Sequence, residues 1–555
     1  MKADYSSSTS RASLDFKRSP HRMKADDWFL TGAERGNPAS RIDARHDGDT
    51  AWSSGNAVRP VPHGAPYFTE LLARVRELRA GDLLLFTDWR GDPGERLDGP
   101  GTEVAEVFAA AARRGVVVKG LLWRSHWDRL LFSEAENRHL GDAIEAAGGE
   151  CLRDMRVPPG GSHHQKLVVL RHRADPRRDI AYVGGIDLCW SRRDDASHAG
   201  DTQAAPMAEV YGARPPWHDV QAAIEGPAVG DVEAVFRERW EDPGPLTRNP
   251  LHRLADLVRR EDTRPDPLPP QFPDPPACGP HAVQLLRTYA HRRTRYPFAP
   301  RGERSVARGY LKALRRARSL IYIEDQYLWS PQIAESFAEA LKVNPDLLMI
   351  SVLPLHPDQD GALNGTPQIL GRNQALSILK EAGGDRFAVY GLENRQGTPV
   401  YVHAKVCVID DVWATIGSDN FNRRSWTYDS ELTCAVLDGT PDGREPADPA
   451  GHGDGARRFP RDLRLTLARE HLDRPDLPDA DLLAPESFFA AFAASAEALE
   501  RWHAEGRRGP RPDGRLRLYE PSPLSPLTTV WAAPLYRIVC DPDGRPRAMR
   551  RSGTY

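Results

Sequence analysis

Hydrophobic positions along the chain follow two spacings in turn. From Pro66 to Arg79 they fall at Phe68, Leu71, Leu72, Val75 and Leu78, a helical rhythm that Gly81 breaks. LLLFTDW (83–89) is then almost unbroken apolar sequence of strand length. A second helix is predicted over about 102–114, ending at Gly115. The strand VVVKGLLW (116–123) follows, and then a third helix over about 133–147 that stops at Gly148-Gly149. A short strand near Cys151 leads to SHHQK. The same succession returns further on: a helix over about 303–318, strand SLIYIEDQY (319–327), a helix over about 332–343, strand LLMISVLPL (347–355) and a helix over about 373–382. Strand RFAVYGL (386–392) then leads to YVHAK. The likeness lies in the order of elements rather than in residue identity.

Two runs of alternating strands and helices predict an α/β protein of two similar sandwich halves. The halves pack with pseudo-twofold symmetry around mixed or mostly parallel sheets flanked by helices. The expected organisation is a flexible leader (1–25), a first half (26–242), a Pro-rich linker (243–280, containing PDPLPPQFPDPPACGP), a second half (281–440) and a C-terminal extension (441–555). Within the extension, SFFAAFAASAEALERWH (about 485–503) has a helical pattern, and PLYRIVCDPDGRP suggests a strand and turn.

Composition narrows the function. With 75 Lys and Arg against 78 Asp and Glu, the net charge of −3 offers no electrostatic reason to expect nucleic acid as a partner. The six cysteines (151, 189, 278, 407, 434 and 540) form no short-spaced pair, which points to reduced thiols rather than disulfides or a metal centre. The N-terminal stretch is polar and basic without an apolar core. The longest apolar stretches fall well short of the roughly 20 residues a bilayer span needs. The expectation is a cytoplasmic monomer with no transmembrane segment, which reaches any lipid from the membrane surface.

Lysine is scarce: 9 residues against 66 arginines. Two of the nine stand two residues after a histidine, in His164-x-Lys166 and His403-x-Lys405. Each pair opens an apolar run that leads to a glycine turn, Gly184-Gly185 or Gly417-Ser418. In a strand, residues i and i+2 face the same way, so each histidine is expected to project with its lysine. One such pair alone is more often a surface strand than a site. Two at the same place in a duplicated order suggest one active site made from two half-sites. A phosphate accepts charge-assisted hydrogen bonds from both lysines. One imidazole then attacks phosphorus while the other protonates the leaving oxygen. The lysines take the place of a metal ion, so no metal or other cofactor is expected.

The second copy continues to Asp410 and then Gly417-Ser418-Asp419-Asn420, completing His-x-Lys-xxxx-Asp followed by Gly-Ser; the first carries Arg171 where the motif has Asp. This pattern resembles the phospholipase D superfamily. HHQKLVVL, YVGGIDLC, PPWHDV, EGPAV and YIEDQY are similar to its phosphatidylcholine-hydrolysing branch, and the resemblance covers most of 26–440. It implies a phosphohistidine on His164, acid–base work by His403, and phosphoryl oxygens held by Lys166 and Lys405. Asn420, with Ser418, lies on the phosphate-binding side, matched in the first half by Asp187 with Gly185. Each histidine needs a carboxylate to set its tautomer, and the resemblance implies Asp194 and Glu431, with Asp194 orienting His164. Asp410 belongs to the motif, yet strand alternation turns it away from Lys405, so a buttressing role suits it better. The functional expectation is a phospholipase D acting on a glycerophospholipid, with transfer to an alcohol as a related outcome. The alternatives are a cardiolipin-synthase-like transferase, or a phospholipid-binding protein whose first motif has decayed.

Overall fold

The computed structural model describes residues 23–125, 134–360, 362–474 and 478–555. Most of the expected leader, and the first residue of the helix expected over 133–147, fall outside these. The first sheet contains β1 (Ser53–Pro62), β2 (Leu83–Asp88), β3 (Val117–Trp123), β4 (Glu150–Asp154), β5 (Leu167–Arg171) and β6 (Ile180–Gly184), then, after the two-residue β7 (Trp217–His218), β8 (Val220–Glu225). Its order is β4-β3-β2-β5-β6-β8-β1, parallel among β2, β3 and β4 and antiparallel elsewhere.

The second sheet contains β9 (His281–Tyr289), β10 (Glu303–Arg304), β11 (Leu320–Glu324), β12 (Leu348–Val352), β13 (Phe387–Glu393), β14 (Pro399–Val402), β15 (Val406–Ile409), β16 (Trp413–Gly417), β17 (Glu431–Asp438) and β18 (Leu516–Leu518). Its main order, β13-β12-β11-β15-β16-β17-β9, repeats the first strand for strand, again with three parallel strands at one side. The sheets are therefore mixed rather than mostly parallel. β1 joins them: its first residues pair with β9 and the rest with β8.

Alternation along the central strands sorts side chains between two cores. Leu167 and Val169 of β5, and Val406 and Val408 of β15, enter one core shared by the two sheets. Val168 and Leu170 turn to the helices covering the first sheet, and Cys407 and Ile409 to those covering the second. The layers thus run helices, sheet, shared core, sheet, helices. The helices fall where the periodicity placed them, among them Gly64–Glu77, Val104–Arg113, Pro331–Val343 and Pro485–Ala504. The segment expected as a terminal strand and turn is instead helical, Pro526–Leu535 continuing into Tyr536–Cys540. Apolar residues there pack on Trp329 and Leu370. Helices Ala228–Trp240 and Arg458–His471 escaped the periodicity because arginines and acids interrupt their apolar stripes.

Those interruptions are functional in packing. Arg171, fully buried at the end of β5, donates to Asp179 at 2.7 Å, to Glu233 of helix Ala228–Trp240, and to the carbonyls of Phe272 and Pro273. One residue past the matching place in the second half, the charges are inverted. Asp411 accepts from Arg461 and Arg464 of helix Arg458–His471 at 2.7–2.8 Å. Its neighbour Asp410 accepts from the backbone N–H groups of Arg318, Ser319 and Leu320 and from the Ser319 hydroxyl, all at 2.8–2.9 Å. A strand rises about 3.3 Å per residue, so the five residues from Lys405 to Asp410 span roughly 16 Å. Asp410, counted among the candidate catalytic residues, thus sits at the far end of β15 as a cap. Arg171 is an ion-pair anchor of the framework behind the first sheet.

Restoring the motif acid is therefore predicted to harm the protein. Arg171→Asp sets a third carboxylate against Asp179 and Glu233 and is expected to cost about 3–5 kcal/mol, read as a lower urea midpoint and Tm. Asp410→Asn is expected to cost about 1–3 kcal/mol by leaving backbone donors unpaired. An Arg171→Asp variant as stable as the wild type contradicts the network.

Candidate active site

The two His-x-Lys segments do not lie within strands. His164 and Lys166 come just before β5, and His403 and Lys405 span the connection from β14 to β15. What aligns them is backbone pairing with the other half. His163 bridges Ser430 in parallel, the His164 N–H donates to the Ser430 carbonyl at 2.9 Å, and the Ser430 N–H donates to that of Ser162 at 3.0 Å. The second half repeats this with partners exchanged. Val402 pairs in parallel with His218, and the His403 N–H donates to the His218 carbonyl at 2.7 Å.

In both cases the next residue is a carboxylate, and it meets the opposite histidine. His164 Nδ1 lies 2.9 Å from Glu431 Oε2, and His403 Nδ1 lies 2.6 Å from Asp219 Oδ2. Each imidazole therefore has its Nδ1 proton held by a carboxylate of the other half, which leaves Nε2 for chemistry. This corrects the sequence expectation for Asp194. Its carboxylate accepts from the N–H groups of Trp217 (2.8 Å), Asp195 (2.9 Å) and Gly200 (3.1 Å), so it anchors the strand that carries Asp219. Asp219 is the residue sequence reasoning missed. PPWHDV marked the segment, but nothing local identified which histidine it serves.

Glycine is required beside Asp219: a Cβ on Gly185 would come within 2.1 Å of Asp219 Oδ1. Ser418, its counterpart, has a hydroxyl that donates to Glu431 Oε2 at 2.5 Å, so one carboxylate oxygen serves both Ser418 and His164.

The lysines are held alike. Lys166 Nζ donates to the His164 carbonyl at 2.9 Å and lies 3.4 Å from Asp187 Oδ1. Lys405 Nζ donates to the His403 carbonyl and to Gln326 Oε1 at 3.3 Å. Burial pulls Lys405 down to about 8, assisted by the charge of Lys166. Burial opposes ionisation of Asp187, but Lys166 and a hydrogen bond from Asp88 outweigh it and hold Asp187 below the usual carboxylate range. Burial and the Asp187 charge push Asp88 up, so Asp88 is the proton donor of that pair. Asp187 is thus a counter-ion to Lys166. Asn420 is buried with its amide oxygen unpaired.

Burial, then the charges of Lys405 and Arg192, push His403 well below its ordinary value, so the ring is neutral at physiological pH. Lys166 and Asp187 also act on His403 electrostatically, which brings groups of both halves to one centre. Trp217 lies against the His403 ring with centroids 4.9 Å apart, and the Arg192 guanidinium covers the Trp217 face at 3.8 Å. His163 is buried, held by Ser430 Oγ at 2.6 Å, and Trp329 is a core residue stacked on Tyr327.

Comparison with known proteins addresses the family of the chain. A family model of phospholipase D matches residues 145–336, and one described as cardiolipin synthase, PLD-like domain, matches 310–440. Phospholipase D alpha 1 of Cynara cardunculus is 26% identical over 506 residues, 70% of this chain and 61% of that protein. Phospholipase D alpha 2 of Oryza sativa subsp. japonica is 26% identical over 524 residues, 72% of this chain and 61% of that protein. The chain thus spans about 61% of the length of these two curated relatives. The phosphatidylserine synthase structure from Haemophilus influenzae Rd KW20 overlays with a TM-score of 0.48 at 13% identity, covering 70% of this chain and 84% of that one. Among the described residues, no helix is long and apolar enough to cross a membrane. The phospholipase D match holds His164-x-Lys166 and the PLD-like match holds His403-x-Lys405, and the chain belongs to the phospholipase D superfamily.

Proposed function

We propose that this chain is a phospholipid-modifying phosphodiesterase of the phospholipase D type. It cleaves the distal phosphodiester of a glycerophospholipid and passes the phosphatidyl group through a phosphohistidine to water or an alcohol. The observation that carries this reading is the reciprocal pairing of His164 with Glu431 and His403 with Asp219. It leaves two oriented imidazoles with free Nε2 atoms beside two lysines.

In the first step His164 Nε2 attacks phosphorus, the P–O bond to the headgroup breaks, and His403 gives its proton to the departing alkoxide. His403 acquires that proton once the anionic phosphodiester binds and offsets the nearby cations. In the second step the now neutral His403 takes a proton from water or an alcohol. Its oxygen attacks phosphorus, and the P–N bond to His164 breaks. Lys166 and Lys405 bind the phosphoryl oxygens as charge builds on them, and Asn420 adds an amide. A second reading exchanges the histidines, and the neutral state of His403 in the free protein favours it. The match to a cardiolipin synthase, PLD-like domain, favours an alcohol acceptor over water as the alternative outcome. The binding-protein reading loses its support, because Arg171 is committed to Asp179 and Glu233.

His403→Ala or Lys405→Ala is expected to lower headgroup release by about 10²–10⁴-fold or more, and near-wild-type release from either variant refutes the two-histidine scheme. Asp219→Asn is expected to lose activity on a similar scale by presenting the wrong His403 tautomer, with little change in Tm. Quenching with a labelled short-chain lipid is expected to trap acid-labile label on His164; label on His403 instead reverses the roles. Protonated Lys405 is the active form, so kcat/KM is expected to fall as pH rises through about 8, whereas bound phosphate moves the limb of kcat upward. Assay with and without a primary alcohol separates transfer from hydrolysis.

A further inference from the structure

Beside Asp219 lies a second buried cluster that the proposed reaction does not use. His63, at the entrance to helix Gly64–Glu77, His198, in a loop, and His218, on β7, come from the first half. Glu470 comes from helix Arg458–His471 of the C-terminal extension. One ligand atom from each lies within 4.8 Å of the others. His63 Nε2 is 2.7 Å from Glu470 Oε2, and His198 Nε2 and His218 Nδ1 are 3.0 and 3.3 Å from Glu470 Oε1.

The other ring nitrogens of two of these histidines set their tautomers. His218 Nε2 is 2.6 Å from Glu324 Oε2, and His198 Nδ1 is 3.2 Å from the Trp217 carbonyl oxygen. Both partners accept only, so both ring nitrogens carry the proton. In their neutral forms His198 Nε2 and His218 Nδ1 aim lone pairs at a carboxylate, so positive charge, whether ring protons or a cation, belongs at this point. Burial opposes ring protons on His198 and His218, yet Asp194, Glu470 and Glu324 favour them, and such protons would place two like charges with ring centroids 5.7 Å apart in a buried site. A divalent cation with three neutral rings instead balances the two negative charges of Glu470 and Glu324.

We propose that His63, His198, His218 and Glu470 form a binding site for a divalent transition cation, with Zn²⁺ the best fit. Three imidazoles and one carboxylate make a tetrahedral N/O set with no open position, the pattern of a structural rather than a catalytic zinc. Glu324 supplies the outer carboxylate that orients a zinc-bound histidine, and is itself held by the Tyr322 hydroxyl at 2.5 Å and His471 Nε2 at 2.7 Å. The Glu470 side chain keeps 12% exposure, which gives the cation an approach from solvent. The ion would fasten the C-terminal extension to the first half and fix His218, whose neighbours Trp217 and Asp219 both contact His403. It is a positioning element, and the phosphoryl chemistry above proceeds without it. The sequence offered no signal for this cluster, since ligands at 63, 198, 218 and 470 form no spacing motif.

The full chain, stripped by chelator and titrated with Zn²⁺, is expected to retain one equivalent after gel filtration and to gain in Tm. X-ray absorption is expected to show four N/O ligands at about 2.0–2.1 Å with imidazole scattering. Glu324→Gln should weaken zinc affinity about 10–100-fold, and Glu470→Gln by at least as much. Protein that retains no zinc and shows an unmoved Tm overturns the proposal and identifies the cluster as a proton-filled ion-pair network. Equal retention by wild type and Glu470→Gln with the same absorption spectrum also overturns it, by placing the ion elsewhere. Should Glu470→Gln fail to fold, the wild-type spectrum decides alone. None of these readouts measures lipid turnover, so their failure is distinct from failure of the proposed reaction.

Discussion

The structure turns on one reciprocal interaction. Each His-x-Lys segment takes backbone hydrogen bonds from the other half, and the register of that pairing delivers a carboxylate to its histidine. Neither motif histidine draws its carboxylate from its own half. His164 depends on Glu431 and His403 on Asp219, partners 267 and 184 residues away. The shared apolar core between the sheets keeps these contacts in register, because a slip of one residue would turn a carboxylate away from its ring. Packing between the halves and assembly of the site are therefore the same event.

Charge at the centre is arranged with equal economy of parts. Two lysines are brought together, each against the carbonyl of its own histidine, and burial makes both costly unless acids stand near. Asp187 supplies that acid for Lys166, while Asn420 occupies the corresponding place in the second half. Burial and the charge of Lys166 depress the pKa of Lys405, against the pull of Asp219 and Asp325, and burial with the charges of Lys405 and Arg192 keeps His403 neutral. A half-site pair that is symmetric in its backbone thus carries an acid in one half where the other carries an amide.

The far ends of the same strands carry the structural load. Arg171 with Asp179 and Glu233, and Asp411 with Arg461 and Arg464, tie each central strand to the helix behind it with opposite polarity. Helix Arg458–His471 is fastened at one end by Asp411 and at the other reaches the His63–His198–His218 cluster through Glu470. The C-terminal extension is consequently packed into the same body as both sheets.

The amino-acid sequence by itself determined the alternation of strands and helices, the duplicated order, and the two His-x-Lys pairs with their glycine turns. Each of these is legible locally, since apolar periodicity follows from which face is buried and the motif residues stand at short fixed spacings. The tertiary structure alone decided which carboxylate serves which histidine, and it moved that role from Asp194 to Asp219. It also placed Asp410 and Arg171 in the supporting framework, made the C-terminal tail helical, and gathered His63, His198, His218 and Glu470. Those outcomes depend on side chains far apart in the chain meeting across packed surfaces. No local spacing records such a meeting, because the pairing of β7 with β14 and of His163 with Ser430 exists only once both halves have folded against each other.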